Sequence, residues 1–403
     1  YQVNGFSVLS GLFVQITNEQ NIPLGSGWNM ISSYIEPIDP LVENIFAPVV
    51  SYINIMKNGI GQIYVPAYNI NQIVNWNPNS GYLINMTTQT SVEMNGYKIV
   101  PESHPVPLAS GWNLIPYLRD NPMSAPFALA GLGTNLVIAK NNEGGVYVPA
   151  WGINTIGYMN AGYGYYIYVT ATDNLIYPAN SAGKATAGEN LTPLPKHLIP
   201  SMNKTGNSAT LLISIDAENG TEVGIYNTNA ELIGSGYVQD GVVAANIWGD
   251  NSYTDNIDGA VVGEVLTAKL YNPTTNSYNS LLLSSIVELN NNLELDAISY
   301  SENAVYSAKG STIADEVIGF SINNTPNPVS NSTTFEFSLP NDGNAEILIY
   351  NIRGDEVGRI RLDGYSAGLH SVVFNTDNLS NGSYNVVLRS GSNNVSTIMM
   401  IVK

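Results

Sequence analysis

The sequence of 403 residues contains no cysteine and only three histidines. Without cysteine, disulfide bonds, thiolate metal sites and a cysteine nucleophile are excluded. His104, His197 and His370 lie in separate segments, and no paired-histidine zinc motif is present. A catalytic base must reach its nucleophile, and no sequence pattern draws these histidines toward one. The sequence therefore predicts a protein that is not an enzyme.

Charge is also scarce, and positive charge is the scarcer of the two signs. Charged residues make up 11% of the chain, and 14 Lys and Arg stand against 32 Asp and Glu, for a net charge of -18. A nucleic-acid-binding surface needs basic residues, so no nucleic acid partner is expected. A weakly charged surface loses little by desolvation on contact, which favours association with copies of the same chain.

Long hydrophobic runs are missing as well. The longest apolar stretch near the start, residues 6–16, is broken by Ser10, Gly11 and Gln15 and is too short to span a bilayer. No basic segment precedes it, so Tyr1 is expected to be a mature N-terminus and the protein to be secreted and not membrane-spanning.

The same stretch has the pattern of a β-strand with one apolar face. Alternate positions are apolar with one interruption, as in a half-buried strand. Such a strand either completes the chain's own sheet or is donated to the open sheet edge of a neighbouring subunit. The sequence leaves both open. The apolar face consists of Phe6, Val8, Leu12, Val14 and Ile16.

What the chain does contain favours β-structure in several domains. Its length is enough for three or four domains, each with its own core. Tyrosine occurs 25 times and glycine 37 times. Tyrosine suits a pleated sheet, and glycine suits tight turns. We therefore expect an all-β-dominated chain with a minor helical content.

An internal repeat divides the first half of the chain. The segment Leu24-Gly25-Ser26-Gly27-Trp28-Asn29-Met30-Ile31 returns 84 residues later as Leu108-Ala109-Ser110-Gly111-Trp112-Asn113-Leu114-Ile115. Three further blocks recur in the same order at an offset of 83, which makes chance unlikely: Lys57-Asn58 with Lys140-Asn141, Tyr64-Val65-Pro66-Ala67 with Tyr147-Val148-Pro149-Ala150, and Gly81-Tyr82 with Gly164-Tyr165. After an N-terminal segment, 1–19, the sequence thus predicts two β-rich repeats, 20–103 and 104–180.

Each repeat is expected to contain one short helix among its strands. Asp39-Pro40 and Asn121-Pro122 place a capping side chain before a proline, which predicts a helix of two or three turns. The alternating stretches 52–56 and 165–169 have the composition of strands.

A linker and a third module follow the repeats. Residues 181–197 are rich in Ala, Gly, Asn, Pro and Thr, which is typical of a linker. Residues 198–308 are expected to form a β-sandwich, with predicted strands at 210–215, 222–226, 242–248, 264–271 and 280–289.

The last module, 309–403, resembles a known family. Its recognisable blocks are Pro326-Asn327-Pro328, 335–340, Tyr350-Asn351-Ile352-Arg353-Gly354, Ala367-Gly368-Leu369-His370, 379–384 and the terminal strand ending in Lys403. These are similar to the C-terminal sorting domain of the type IX secretion system of Bacteroidota, an Ig-like β-sandwich. The third module also resembles an Ig-like domain of proteins secreted by such bacteria, and the Gly-Trp-Asn repeats resemble modules found beside it. The resemblance implies export across the outer membrane, with the secretion machinery as a partner of the last module.

One loop of the third module is dense in oxygen donors. Residues 249–259 hold Asp250, Asp255 and Asp258, with Glu264 shortly after. Calcium takes six to eight oxygen ligands, so these three aspartates are candidate Ca²⁺ ligands. An Asx-rich turn that caps its own backbone explains the same composition. The sequence leaves both open.

Aromatic residues offer candidate contact surfaces. Trp28 and Trp112 open a strand at the same place in both repeats, which favours a core role over a sugar-stacking one. Trp151, Tyr163 and Tyr165 are better candidates for an exposed aromatic face that binds carbohydrate or another subunit.

The leading interpretation is a non-enzymatic extracellular protein that assembles with itself into a filament, fibre or surface layer. The alternative is a carbohydrate-binding or adhesive protein of the cell surface. In both interpretations another macromolecule binds the exposed sheet edges and uncharged faces of this chain, and no reactive pocket is required.

Overall fold

The structure is a computed structural model. It describes residues 17–182, 191–201, 204–313, 320–339, 343–365, 368–391 and 393–403, together with the backbone of three N-terminal strands. Strands account for 53% of the chain and helices for 8%, which confirms the all-β fold class. The chain divides into two compact units, 1–313 and 314–403. The repeats and the third module belong to the first unit, so they pack as one body, and the boundary expected at 308 falls inside the strand Val305–Ile313.

The N-terminal segment forms a small sheet of three short strands. These are Gln2–Val3, Phe6–Leu9 and Leu12–Gln15, and Leu9 pairs with Leu12 across a chain reversal. The single strand expected over 6–16 is therefore replaced by two antiparallel strands. The side chains of Phe6, Val8, Leu12, Val14 and Ile16 lie outside the described residues, so donation of this segment stays a prediction.

The first repeat encloses its core between two sheets. Strand Thr90–Lys98 alternates polar and apolar residues, so Val92 and Met94 are buried beneath it. Trp76 stacks on Tyr82 inside the same core, with ring centroids 4.2 Å apart. The five-stranded sheet has the order Gly27–Ile31, Tyr82–Met86, Ile53–Asn58, Ile63–Val65 and Ile70–Asn71, and the three-stranded sheet has the order Asn18–Leu24, Thr90–Lys98 and Ile35–Pro37.

The second repeat forms the same five-stranded sheet. Its order is Gly111–Pro116, Gly164–Val169, Leu136–Lys140, Val146–Val148 and Ile153–Asn154. Two small two-stranded sheets accompany it, pairing Val106–Leu108 with Asp173–Leu175 and Met123–Ser124 with Tyr158–Met159. A 3₁₀ turn, Pro101–Ser103, connects the repeats. Equivalent 3₁₀ turns, Pro66–Tyr68 and Pro149–Trp151, lead into the last strand of each five-stranded sheet.

The helices are shorter than the sequence predicts. Each has four residues, Val42–Ile45 and Ala125–Ala128, and continues as a 3₁₀ helix, Ala47–Tyr52 or Ala130–Asn135. Pro48 has no amide hydrogen to extend the first α-helix, and Gly133 leaves helical geometry after the second. Asp39 does not cap the helix, which begins at Val42. Its side chain accepts a hydrogen bond from the Leu41 amide at 3.0 Å, before the helix begins.

The third module forms one sheet that closes on itself. The strand order is Thr267–Asn272, Glu222–Tyr226, Leu232–Tyr237, Val242–Trp248, Ser208–Ile215, Val305–Ile313, Ser277–Glu288 and Leu293–Leu295, and Thr267–Asn272 also pairs with Ser277–Glu288. An Ig-like sandwich has two separate sheets, so the Ig-like prediction is not confirmed for this module. Closure is possible because the 12-residue strand bends at a bulge between Ser284 and Val287 and reaches both neighbours.

Part of the expected linker is bound to the first unit. The Glu222 side chain is buried and accepts hydrogen bonds from the Lys196 amide at 2.7 Å and the Leu198 amide at 2.7 Å. The Thr192 amide donates to the Asn154 carbonyl at 3.0 Å. Residues 191–198 are therefore held by the first unit, whereas 183–190 lie outside the described residues.

The second unit is a sandwich of seven strands in two sheets. One sheet has the order Ser321–Thr325, Ser332–Leu339 and Gly368–Asn375. The other has the order Glu356–Tyr365, Gly343–Tyr350, Gly382–Ser390 and Asn393–Ile401. Inward-facing residues such as Phe335, Ile347 and Val386 form its core, which agrees with the sandwich expected for this module. In the described part of the chain no helix is long and apolar enough to cross a membrane.

Candidate functional site

The repeated Gly-Trp-Asn motif builds a turn. Asn29 accepts a hydrogen bond from the Gly25 amide at 2.7 Å and donates to the carbonyls of Gly25 and Gly27 at 2.8 and 2.9 Å. In the second repeat, Asn113 makes the same three bonds at 3.0, 2.8 and 3.0 Å. Gly27 has φ +79°, a conformation that favours glycine. The motif therefore fixes the start of an edge strand.

Two equivalent glycines show how the repeats pack on each other. A Cβ at Gly81 would lie 2.7 Å from the Ile115 carbonyl oxygen, and a Cβ at Gly164 would lie 2.9 Å from the Ile31 carbonyl oxygen. Gly81 is equivalent to Gly164 and Ile31 to Ile115, so the contact is reciprocal. Reciprocal contacts are the property of a two-fold interface. The two repeats thus form an internal pseudo-dimer, and this explains why Gly-Tyr recurs in both.

A groove of about 460 Å³ runs along the seam between the repeats. Residues 58–62 and 73–82 of the first repeat and 106–115 of the second line it, and none of the lining residues is charged. We call it the first groove. Its polar wall carries Gln62, Asn75, Asn77, Asn79 and Ser80, and Trp112 lies on the other wall.

Several amides of the first groove use their oxygen and keep their NH₂ group available. The side-chain oxygen of Asn77 accepts from the Asn79 amide at 2.9 Å. That of Asn79 binds His104 Nε2 at 2.7 Å, and that of Gln62 accepts from Asn58 Nδ2 at 2.7 Å. Their NH₂ groups have no partner among the described residues. The first groove therefore presents neutral hydrogen-bond donors.

Trp112 is only partly buried and lies between the first groove and a buried lysine. The Lys140 ammonium lies 5.4 Å from its ring centroid and donates to the Ser208 carbonyl at 2.9 Å. Burial lowers the pKa of Lys140 to about 7. The rings of Tyr166 and Tyr168 pack edge-on against the indole. Trp112 is therefore held in place and still lines the first groove.

The equivalent Trp28 is covered. Its indole NH donates to Asn251 Oδ1 at 3.2 Å, and the ring of Tyr253 packs edge-on at 5.4 Å. Lys57 lies 5.0 Å from the Trp28 ring centroid, and the equivalent Lys140 lies 5.4 Å from that of Trp112. The loop 249–259 thus covers one tryptophan of the pair and leaves the other at the first groove.

The aspartates of that loop bind the loop itself. Asp250 accepts from the Asp258 amide at 3.0 Å, and Asp258 accepts from the Asn251 amide at 3.0 Å and the Thr254 hydroxyl at 2.9 Å. Within the described residues, which include this whole loop, no three acidic or histidine side chains gather as metal ligands do. The loop therefore caps its own backbone through Asp250 and Asp258, and calcium binding at Asp250, Asp255 and Asp258 stays a prediction.

The predicted aromatic face is divided by the fold. Tyr165 points into the core and is 2% exposed, because strand alternation places it inward. Trp151 packs against a cluster containing Leu212 of the third module. Tyr163 alone of the three is substantially exposed, at 36%. The structure therefore does not form one exposed surface from Trp151, Tyr163 and Tyr165.

The three histidines have different surroundings. His104 binds Asn79 in the first groove, and His197 Nδ1 lies 2.9 Å from the Glu222 carboxylate. In the second unit the His370 ring packs against Phe337. None of these contacts pairs a histidine with a nucleophile.

The blocks of the second unit that carry the family resemblance hold its terminal strand and a hairpin. Asn327 accepts from the Met400 amide at 2.9 Å and donates to the Ile398 carbonyl at 2.7 Å. Lys403 Nζ donates to the Leu379 carbonyl at 2.7 Å. Asn351 accepts from the amides at 353 and 355 and so closes the tight turn after its strand. These blocks therefore have structural roles.

Comparisons with known proteins identify this second unit. Residues 323–403 match the family of secretion system C-terminal sorting domains. The domain marks the chain for export by type IX secretion, so the protein is secreted or lies at the cell surface. No curated protein matches the chain.

Two solved structures show only distant likeness. Dimeric latent PorU from Porphyromonas gingivalis is 11% identical with a TM-score of 0.19, and the match covers 59% of this chain and 36% of that one. The chain thus spans about a third of the length of that protein. The Bacillus anthracis TIE protein is 10% identical with a TM-score of 0.14, over 97% of this chain and 75% of that one. Neither likeness carries an argument about the fold.

Proposed function

We propose that this exported chain is a non-enzymatic carbohydrate-binding protein that holds a neutral polysaccharide in the first groove. One observation carries the proposal: the groove between the repeats is lined by amide side chains and a tryptophan, with no charged residue. Concave sites with a few convergent polar groups are the usual places where small ligands bind.

The chemistry of the first groove fits a sugar chain. Each sugar hydroxyl accepts as well as donates, so it satisfies the available NH₂ groups of Gln62, Asn77 and Asn79. The partly exposed indole of Trp112 offers an apolar face for the C–H surface of a sugar ring. The net charge of -18 repels anionic polymers, which favours a neutral glycan.

Affinity gel electrophoresis tests this proposal. The protein is run in gels containing galactomannan, glucomannan or hydroxyethyl cellulose, and retardation in at least one gel is expected. The double substitution Asn75→Ala with Asn77→Ala should weaken the retardation strongly, because it removes amides from the polar wall. Asn229→Ala changes an exposed asparagine of the third module and serves as the matched control. Retardation that the double substitution leaves unchanged, or no retardation in any neutral gel, would contradict the proposal.

A second candidate function is self-association, through the free edge of the first repeat. Ile60 is 82% exposed, Tyr68 is 77% exposed and Ile70 is 37% exposed. Ile153, the equivalent of Ile70 in the second repeat, is 1% exposed because residues of the third module pack over it. An uncovered apolar edge of this kind supports the interpretation of a self-assembling surface protein.

Light scattering and negative-stain microscopy at high protein concentration test self-association. The wild type is expected to form oligomers, and Tyr68→Ser should shift them toward the monomer. The change Tyr52→Ser, at another exposed tyrosine of the same repeat, is the control. A wild type that stays monomeric at every concentration would exclude this second function.

A further inference from the structure

The pseudo-dimer of repeats contains a counterpart of the first groove. A groove of about 450 Å³, which we call the second groove, is lined by residues 141–143 and 156–165 of the second repeat. Asn141, Asn160 and Tyr165 line it at the positions that Asn58, Asn77 and Tyr82 have in the first groove. The matched positions follow from the repeat itself, and the lining residues of the second groove all belong to the second repeat.

The equivalent tyrosines show that the two grooves share their internal geometry. The Tyr82 hydroxyl accepts from the Asn77 amide at 2.7 Å, and the Tyr165 hydroxyl accepts from the Asn160 amide at 2.8 Å. Both hydroxyls thus hold the bend that carries the polar wall. The second groove is therefore a built feature of the repeat.

Exchanged residues give the second groove a different polar character. Tyr163 replaces Ser80, and Glu143 replaces Ile60. Asn160 donates through its NH₂ group to the Tyr158 carbonyl at 2.9 Å, so its side-chain oxygen is left as an acceptor. The first groove mainly presents donors, whereas the second adds an acceptor at Asn160 and an aromatic ring at Tyr163. A sugar chain meets both demands, because every hydroxyl both donates and accepts.

A buried donor beside the second groove is also unmatched. Gln20 occupies the position of His104, and its Nε2 lies 3.8 Å from where a Cβ at Gly162 would be. His104 binds the side chain of Asn79, but Gly162, the equivalent of Asn79, has no side chain. Gln20 is 4% exposed, and its Nε2 has no acceptor within the described residues. The exchange of Asn79 for Gly162 therefore removes the side chain that this position binds in the first repeat.

We propose that the second groove is a second binding site for neutral, hydroxyl-rich glycans, so that one chain holds a polysaccharide at two points. This inference rests on the function proposed for the first groove. Glu143 is paired with Lys204 at 3.2 Å, so the charge at the rim is balanced and a neutral ligand is not disfavoured. Two linked sites gain avidity of roughly 10² or more for a polymer that reaches both.

Calorimetry with short oligosaccharides and gel retardation with polymers test the second groove together. The probes are cellohexaose and mannohexaose for calorimetry and galactomannan for the gels. Tyr163→Ser removes the aromatic ring of the second groove, and Asn75→Ala with Asn77→Ala removes the amides of the first. Tyr52→Ser is the matched control, since Tyr52 is 41% exposed against 36% for Tyr163. Thermal unfolding of each variant confirms that it is folded.

The expected result is two hexasaccharides per wild-type chain and one in either groove variant, with polymer retardation weakened at least tenfold in each. One hexasaccharide per wild-type chain, lost only in the Asn75 and Asn77 variant, would overturn the second groove and leave the first in place. One hexasaccharide per wild-type chain that is lost only in Tyr163→Ser would overturn the first groove and leave the second in place. No binding of any probe would overturn both.

Discussion

Replacing Lys140 by methionine is expected to change how the stability of the first unit depends on pH. Lys140 is 2% exposed, and its contacts are one carbonyl hydrogen bond and the indole of Trp112. Burial lowers its pKa to about 7, against a reference value of 10.5. The unfolded chain therefore binds more protons between about pH 7 and 10.5, so stability rises with pH across this window.

The size of the effect follows from the pKa. Each pH step of one within the window adds about 1.4 kcal/mol to the free energy of unfolding. Between pH 7 and 9 the wild type should gain on the order of 2 to 3 kcal/mol from this group. Methionine has a similar length and no charge to desolvate, so Lys140→Met should remove this gain and should not destabilise the unit at pH 7.

Urea unfolding at pH 7, 8 and 9, followed by tryptophan fluorescence, measures the effect, because all five tryptophans lie in the first unit. Lys57→Met is the matched control. Lys57 occupies the equivalent position over Trp28 but is only half-buried. Burial lowers the pKa of Lys57, and the negative charge of Glu302 acts in the opposite direction. The control should retain the rise with pH. An unchanged rise in Lys140→Met would show that the rise does not come from the lowered pKa of Lys140.

Three further predictions concern the packing of the first unit. Gly164→Ala should destabilise the repeat pair by roughly 1 to 3 kcal/mol, because its Cβ would lie 2.9 Å from a backbone carbonyl oxygen. Gly131→Ala is the control: its Cβ would have no atom within 4 Å, so its thermal unfolding should equal that of the wild type. Glu222→Gln should speed tryptic cleavage after Lys196, because the carboxylate holds the following amides; equal cleavage rates would contradict this. Asp258→Ala should lower the melting temperature equally with and without Ca²⁺; a Ca²⁺-dependent difference would show that the loop binds the ion.

Local pattern predicted much of the fold. The strands Glu222–Tyr226 and Val242–Trp248 lie at the predicted positions, because short runs of strand-forming residues bounded by Gly and Asn turns predict a strand even where both faces are largely buried. The closure of the third module was missed, since it depends on the bulge after Ser284, which has no strong sequence signal. The predicted helix lengths were wrong because they were inferred from the helix starts. Pro48 and Gly133 interrupt the α-helical geometry inside the predicted spans.

The first groove could not be predicted from either repeat alone. Asn77 and Asn79 belong to one repeat and Trp112 to the other, so the wall exists only after the pseudo-dimer forms. The sequence signal was the Asn-Pro-Asn segment 77–79, which has Asn-Ala-Gly in its place in the second repeat. Tyr165 misled for the opposite reason, because its place in an aromatic strand does not reveal which face is inward.

Hydrogen exchange measured by mass spectrometry, with and without galactomannan, locates glycan binding on the chain most directly. Glycan binding in the first groove predicts slower exchange in peptides covering 58–62, 75–80 and 109–115, the segments that line this groove. Peptides of the second unit should be unaffected. Protection confined to other segments, or bound polymer that protects no segment of the seam, would contradict the account.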